Sequence, residues 1–133
     1  MAFTKINNVK VAGTSFKQEQ VWALRKAEKA YLTLRREPGN ERDPKAIKVL
    51  AHAVSKGGKK SVYCVGYIPK NKNIYLADDM DAGRIVRVTK DWAFVGGYDG
   101  KTLGLRINLT RQLPEKEAVA AAEPVIEAVP AEA

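Results

Sequence analysis

Apolar and polar residues change period several times along the chain, and the changes mark its elements. Residues 3–12, FTKINNVKVA, alternate as a strand does, with an interruption at Asn7-Asn8. Gly13-Thr14-Ser15 follows as a turn. Ser15 and Gln18 have the spacing of a capping box, and Val21, Leu24 and Ala27 recur at close to helical intervals, so a helix is expected to about Ala27. Trp22 lies on its flank and is expected to be buried. Tyr31-Leu32-Thr33-Leu34 reads as a second strand, and Ala46 to Val54 as a third. The turn Lys56-Gly57-Gly58-Lys59-Lys60 leads into a fourth, Ser61 to Ile68. Asn71 to Ala82 carries Ile74, Leu76, Ala77 and Met80 at helical spacing, and Gly83 stands where a helix-ending glycine belongs. Arg84 to Val95 reads as a fifth strand and Leu103 to Leu109 as a sixth, with Gly96-Gly97 and Asp99-Gly100 between them.

Six short strands, two helices and glycine-rich turns in 133 residues predict a mainly β, α+β fold, a small six-stranded barrel rather than an open sheet. The apolar fraction, 45%, is enough to fill one such core. Residues 1–114 form the expected domain. Residues 115–133, EKEAVAAAEPVIEAVPAEA, are rich in Ala, Glu and Pro and lack aromatics, so a disordered acidic tail is expected there.

Charge sharpens the picture. The chain carries a net +8, yet the tail holds five Glu against one Lys. Residues 1–114 therefore hold 22 Lys/Arg against 10 Asp/Glu, a balance that points to a polyanion, nucleic acid first. No apolar run is long enough to span a bilayer, and the first residues lack the apolar centre of a signal peptide. One cysteine, Cys64, rules out an intrachain disulfide. A cytoplasmic protein without a membrane partner is the expectation.

Chemistry for catalysis is sparse. A single His, His52, sits in an alternating strand, where a packed or edge role is expected, and with one Cys it makes no ordinary zinc site. Asp78, Asp79 and Asp81 suggest a magnesium cluster, but on a helix Asp79 points away from the other two, so a solvated face is expected instead. No nucleophile, base and orienting group can be assembled, so no cofactor and no enzymatic activity are expected.

One stretch resists a simple account. Between the second and third strands runs Leu34 to Val49, LRREPGNERDPKAIKV, longer than a hairpin needs, with Pro38 and Pro44 and charges of both signs. Taken with VAGTSF at the first helix, VGYIP after it and LADDMDAG closing the second helix, this stretch resembles the HIRAN domain family over about Lys10 to Leu109. Such domains occur fused to helicases and nucleases and as small free-standing bacterial or phage proteins, and the chain resembles the free-standing kind. The resemblance implies an OB-like barrel and a monomeric module for single-stranded DNA. It implies a pocket for a free 3′ end, in repair or replication-fork processing, with a DNA-processing helicase or nuclease as a further partner.

The resemblance also implies roles for individual residues. Asp43 matches the motif aspartate and would accept a hydrogen bond from a 3′-hydroxyl; capping of its own loop before Pro44 is the alternative. Phe16 would stack on a base, or else serve as a hydrophobic staple under the first helix. Asn40 would bond a base edge or phosphate, or simply hold a turn. Lys70 would contact phosphate, and Tyr67 would stack or donate its hydroxyl. Some members have Arg-Tyr where this chain has Ser15-Phe16, and Tyr where it has Arg42. Arg42 would supply a stacking guanidinium and a charge for phosphate. The lost aromatic bears on end preference more than on general strand binding. A protein-interaction adaptor and a general RNA or duplex binder are the competing functions.

Overall fold

The alternating segments become two antiparallel sheets. The computed structural model describes residues 2–114, and the expected acidic tail lies outside them. In chain order come β1 (Phe3–Lys10), a 3₁₀ turn (Thr14–Phe16), α1 (Gln18–Lys26), β2 (Lys29–Arg36), β3 (Ile47–Val54), β4 (Lys60–Tyr67), α2 (Lys70–Asp81), β5 (Val86–Val88), β6 (Ala93–Gly96) and β7 (Leu103–Gln112). One sheet has the order β2-β3-β4. In the other, β7 pairs with β1, β5 and β6.

Strand alternation decides which face is buried. In β3, Ile47, Val49, Ala51 and Ala53 point inward and Lys48, Leu50 and His52 outward. In β7, Leu103, Leu105, Ile107 and Leu109 are wholly buried, facing Val21 and Leu24 of α1 and Leu76 and Ala77 of α2 in one core. Trp22 is half-buried against that core. The interruption at Asn7-Asn8 is a bulge: Asn8 adopts φ 58°, and the β1–β7 register slips between Ile6 and Val9.

Three expectations need correction. There are seven strands, not six. The expected fifth strand breaks where Asp91 accepts hydrogen bonds from Thr89 Oγ1 and from Asn108 Nδ2, at 2.9 Å in the second case. The pieces, β5 and β6, pair separately along β7. The sheets also do not close into a barrel. They meet on one side through a single bridge, Ala12 to Tyr67. On the other side a cleft of about 280 Å³, lined by Leu32, Thr33 and Leu34 and by Val86, Arg87 and Val88, replaces a ladder between β2 and β5. β5 is three residues long and has its pairing with β7, so little strand is left to close that seam. Finally, the Ser15–Gln18 capping box does not form. Thr14–Phe16 winds into the 3₁₀ turn, Lys17 becomes the N-cap of α1 without a side-chain cap, and Gln18 turns inward to bond Thr14 O, Leu103 O and Leu103 N.

The single bridge depends on Gly66. A Cβ there would lie 2.5 Å from both Ala12 O and the Val11 side chain, so only glycine lets β1's extension approach β4. That contact sets the 3₁₀ turn beside the end of β4 and the start of α2. Gly83, at φ 80°, ends α2 with its amide donating to Met80 O, as its spacing predicts. No described helix is long and apolar enough to cross a membrane.

Candidate nucleic-acid interface

The 37–46 connection is held at three levels, each by a side chain its sequence supplies. At its base, Glu37 N donates to Ala46 O at 2.9 Å, and Arg36 donates to Ala46 O at 2.8 Å and to Pro44 O at 3.0 Å. Arg36 also pairs with Asp81 of α2 at 2.9 Å. At its tip, Asn40 Oδ1 accepts from the Arg42 and Asp43 amides at 2.9 and 3.0 Å. Its Nδ2 donates to Glu37 Oε1 at 2.6 Å. On the return, Asp43 Oδ1 accepts from Lys45 N at 3.0 Å, and Asp43 Oδ2 accepts from Asn73 Nδ2 of α2 at 2.7 Å. The loop is thereby fastened to both β2 and α2 before any ligand arrives.

Glu37 joins this loop to the sheet. It accepts from Lys48 at 2.7 Å and from the Tyr67 hydroxyl at 3.1 Å. The Lys48 and Asn40 hydrogen bonds hold its carboxyl below the usual glutamate range. Burial, and then the bond to Glu37, push the Tyr67 phenol up. Asp43 lies below the usual aspartate value, first because Asn73 donates to it and then because the Lys45 amide does. The charges of Lys70 and Arg36 add to the effect. Asp43 is therefore an ionised acceptor in the neutral range.

The structure brings Asn40, Asp43, Tyr67 and Lys70 into one neighbourhood. Asn40 links to Tyr67 through Glu37, and Lys70 opens α2 one turn before Asn73. Phe16 takes no part in the network, and Arg42 enters it only through its backbone amide. Phe16 is 89% exposed at the end of the 3₁₀ turn, so the staple alternative is wrong: the ring packs under nothing. Arg42 is exposed and its guanidinium has no ion pair among the described residues. For Asn40 the turn-holding alternative holds, and for Asp43 loop capping is real, with Lys45 as the amide capped. Tyr67's hydroxyl is committed to Glu37 rather than to an open face.

Sequence reading missed Arg36, Glu37, Lys48 and Asn73. Asn73 left a trace: with Leu76, Ala77 and Met80 it lies on the apolar stripe of α2, where a polar residue needs a buried partner. The three aspartates of α2 separate. Asp78 pairs with Lys45 and Asp81 with Arg36. Asp79, wholly buried, is held by Arg84 at 2.8 Å and Arg111 at 2.5 Å, which corrects the solvated-face expectation for that residue. Among the described residues no three His, Cys, Asp or Glu side chains are grouped as metal ligands. His52 is packed as expected, stacked on Tyr31 with ring centres 4.5 Å apart and bonded to Thr33 Oγ1 at 2.8 Å.

Searches of curated proteins and of solved structures returned no match. A protein-family model did: the HIRAN domain model matches residues 7–112, which take in every strand but the first residues of β1, both helices and the whole 37–46 loop. The chain belongs to the HIRAN domain family.

Proposed function

We propose that the protein is a non-enzymatic module that binds single-stranded DNA and receives its free 3′ end against the 37–46 loop. HIRAN domains are DNA-binding modules in general, which makes nucleic acid the first ligand to consider. The observation that carries the reading is the state of Asp43. It is fixed from two sides, by Lys45 N and Asn73 Nδ2, kept ionised, and placed beside the charge of Lys70. Each carboxylate oxygen accepts more than one hydrogen bond, so Asp43 can hold its loop and still accept from a hydroxyl. Lys70 supplies a cation for the adjoining phosphate, and Phe16, bare to solvent, supplies a stacking face.

A carboxylate accepts but does not donate. A terminal 3′-hydroxyl satisfies it, whereas a 3′-phosphate brings like charge and bulk. The test is affinity for matched oligonucleotides ending in 3′-OH and 3′-phosphate, with the wild type and Asp43→Asn. The wild type is expected to favour the hydroxyl by roughly ten- to a hundred-fold, and Asp43→Asn to shrink that ratio more than it lowers overall affinity. Equal wild-type affinity for the two ends defeats end recognition and leaves a general single-strand binder.

A further inference from the structure

On the side of α2 where Lys70 stands runs a concavity, a groove of about 750 Å³ between the end of β1 with its following turn, the start of α2, and β6–β7. Its rim includes Ser15 and Pro69, the immediate chain neighbours of Phe16 and Lys70, so it opens where the proposed end pocket stops. Lys10, Lys72 and Arg106 line it, Asn71 adds a neutral polar group, and no carboxylate does. None of the three cations has an ion pair among the described residues.

Strand register makes this arrangement costly on its own. Lys10 and Arg106 are direct partners across the β1–β7 ladder, both exposed. Like charges at opposed positions repel, and a carboxylate at either one would turn repulsion into attraction. Lys45, Arg36 and Lys48 have carboxylate partners in Asp78, Asp81 and Glu37, whereas this groove collects three cations and no carboxylate. An external polyanion would relieve the repulsion, and a charged groove that follows a backbone is how single strands are held without reading sequence.

We propose that this groove carries the phosphodiester backbone of the nucleotides that precede the 3′ end, with Lys10, Lys72 and Arg106 each meeting a phosphate. The proposal rests on the single-strand reading above and adds the path of the strand. It directs the chain away from the outer face of β2-β3-β4, where Tyr31 and His52 stack and Val62 is exposed.

The test compares 3′-OH oligonucleotides of about three and about ten nucleotides, lengths that fill the end pocket alone and the pocket plus groove. Proteins are the wild type, the triple variant Lys10→Gln/Lys72→Gln/Arg106→Gln, and Lys29→Gln/Lys60→Gln as a control that removes charge from the other sheet. Thermal melts confirm that each is folded. The wild type is expected to bind the longer strand at least about tenfold more tightly. The triple variant should bind the short strand as the wild type does and forfeit most of the advantage of length. Its salt slope should be smaller by about 2, near 0.7 for each phosphate no longer neutralised. The control should keep the length advantage. A triple variant that retains both the advantage and the slope overturns the groove, and disappearance of the advantage in the control instead places the strand over Tyr31. Failure of the wild type to bind even the short strand sinks the single-strand reading, and the groove proposal with it.

Discussion

Phe16→Ala is expected to separate binding from folding, because the ring is almost wholly exposed. A fully buried phenylalanine contributes roughly 1.5–3 kcal/mol to folding. Phe16 is 89% exposed, so about a tenth of that, roughly 0.2–0.3 kcal/mol, is at stake in the free protein. A stacked base is worth about 1–3 kcal/mol by alanine substitution, a loss of about 5- to 150-fold in affinity. The binding effect should exceed the folding effect several-fold. Fluorescence anisotropy with a labelled single strand gives the first quantity and a thermal melt of the same samples gives the second. Phe16→Tyr, which keeps the ring, should restore most of the affinity. If Phe16→Ala binds single strands as the wild type does, the ring is a bystander and the site lies elsewhere. If it unfolds several degrees earlier instead, the ring is packed in solution and its assignment as a stacking face fails.

Two further outcomes follow. Affinity for a short single strand should fall as salt rises, and Lys70→Ala should flatten the log–log slope by about 0.7; a salt-independent affinity would favour a protein partner over DNA. Asp79→Asn should lower the melting temperature by on the order of 10 °C, because breaking a buried ion pair costs about 3 kcal/mol or somewhat more. Burial pushes the Asp79 carboxyl up, but the hydrogen bonds and charges of Arg111 and Arg84 more than offset this and hold it below the usual aspartate range. A depressed folded-state value means the stabilisation is complete above the unfolded value and is lost as pH falls through the folded one. The acid limb of wild-type stability, below about pH 4, should therefore become shallower in Asp79→Asn. An unchanged limb would show that Arg84 and Arg111 do not depend on that charge.

Much of the architecture was legible because alternation reports burial directly. The inward face of β3, the apolar stripe of α2 and the stop at Gly83 follow from residue type and spacing alone. What alternation does not report is who pairs with whom. β1 lies against β7, some hundred residues away, and no local pattern in either strand names the other. The split of the expected fifth strand was hidden for a more particular reason. Val86, Val88, Trp92 and Phe94 all fall on even positions, so the alternation keeps its phase across residues 89–92 with only Lys90 out of pattern, although the backbone does not run on as one strand. The break comes from Asp91, whose carboxylate takes Thr89 and Asn108 as partners, a side-chain choice that competes with the ladder. The barrel failed on the same ground, since closure needs a strand at β5 longer than three residues.

The candidate site was legible as a list of positions but not as a division of labour. Asn40, Asp43 and Tyr67 carried two readings each, and hydrogen-bond capacity now separates them. Both amides that Asn40 Oδ1 accepts from belong to its own loop, and its amide group is turned to Glu37. Tyr67 spends its hydroxyl on the same Glu37. These two residues build the loop. Asp43 has one partner on each oxygen and acceptor capacity left on both. Phe16, Arg42 and Lys70 have side chains with no hydrogen bond or ion pair of their own among the described residues, and all three are exposed. On the single-strand reading, the polar and aromatic groups left free to meet a ligand are those of Phe16, Arg42, Asp43 and Lys70 with the ring of Tyr67, while Asn40 and the Tyr67 hydroxyl keep the loop ordered beforehand. That order matters energetically. A loop that had to fold around a strand would lose conformational entropy for each residue it fixed. With Pro38 and Pro44 stiffening the chain and Arg36, Asn40 and Asn73 holding it, most of that loss is borne when the domain folds rather than when it binds.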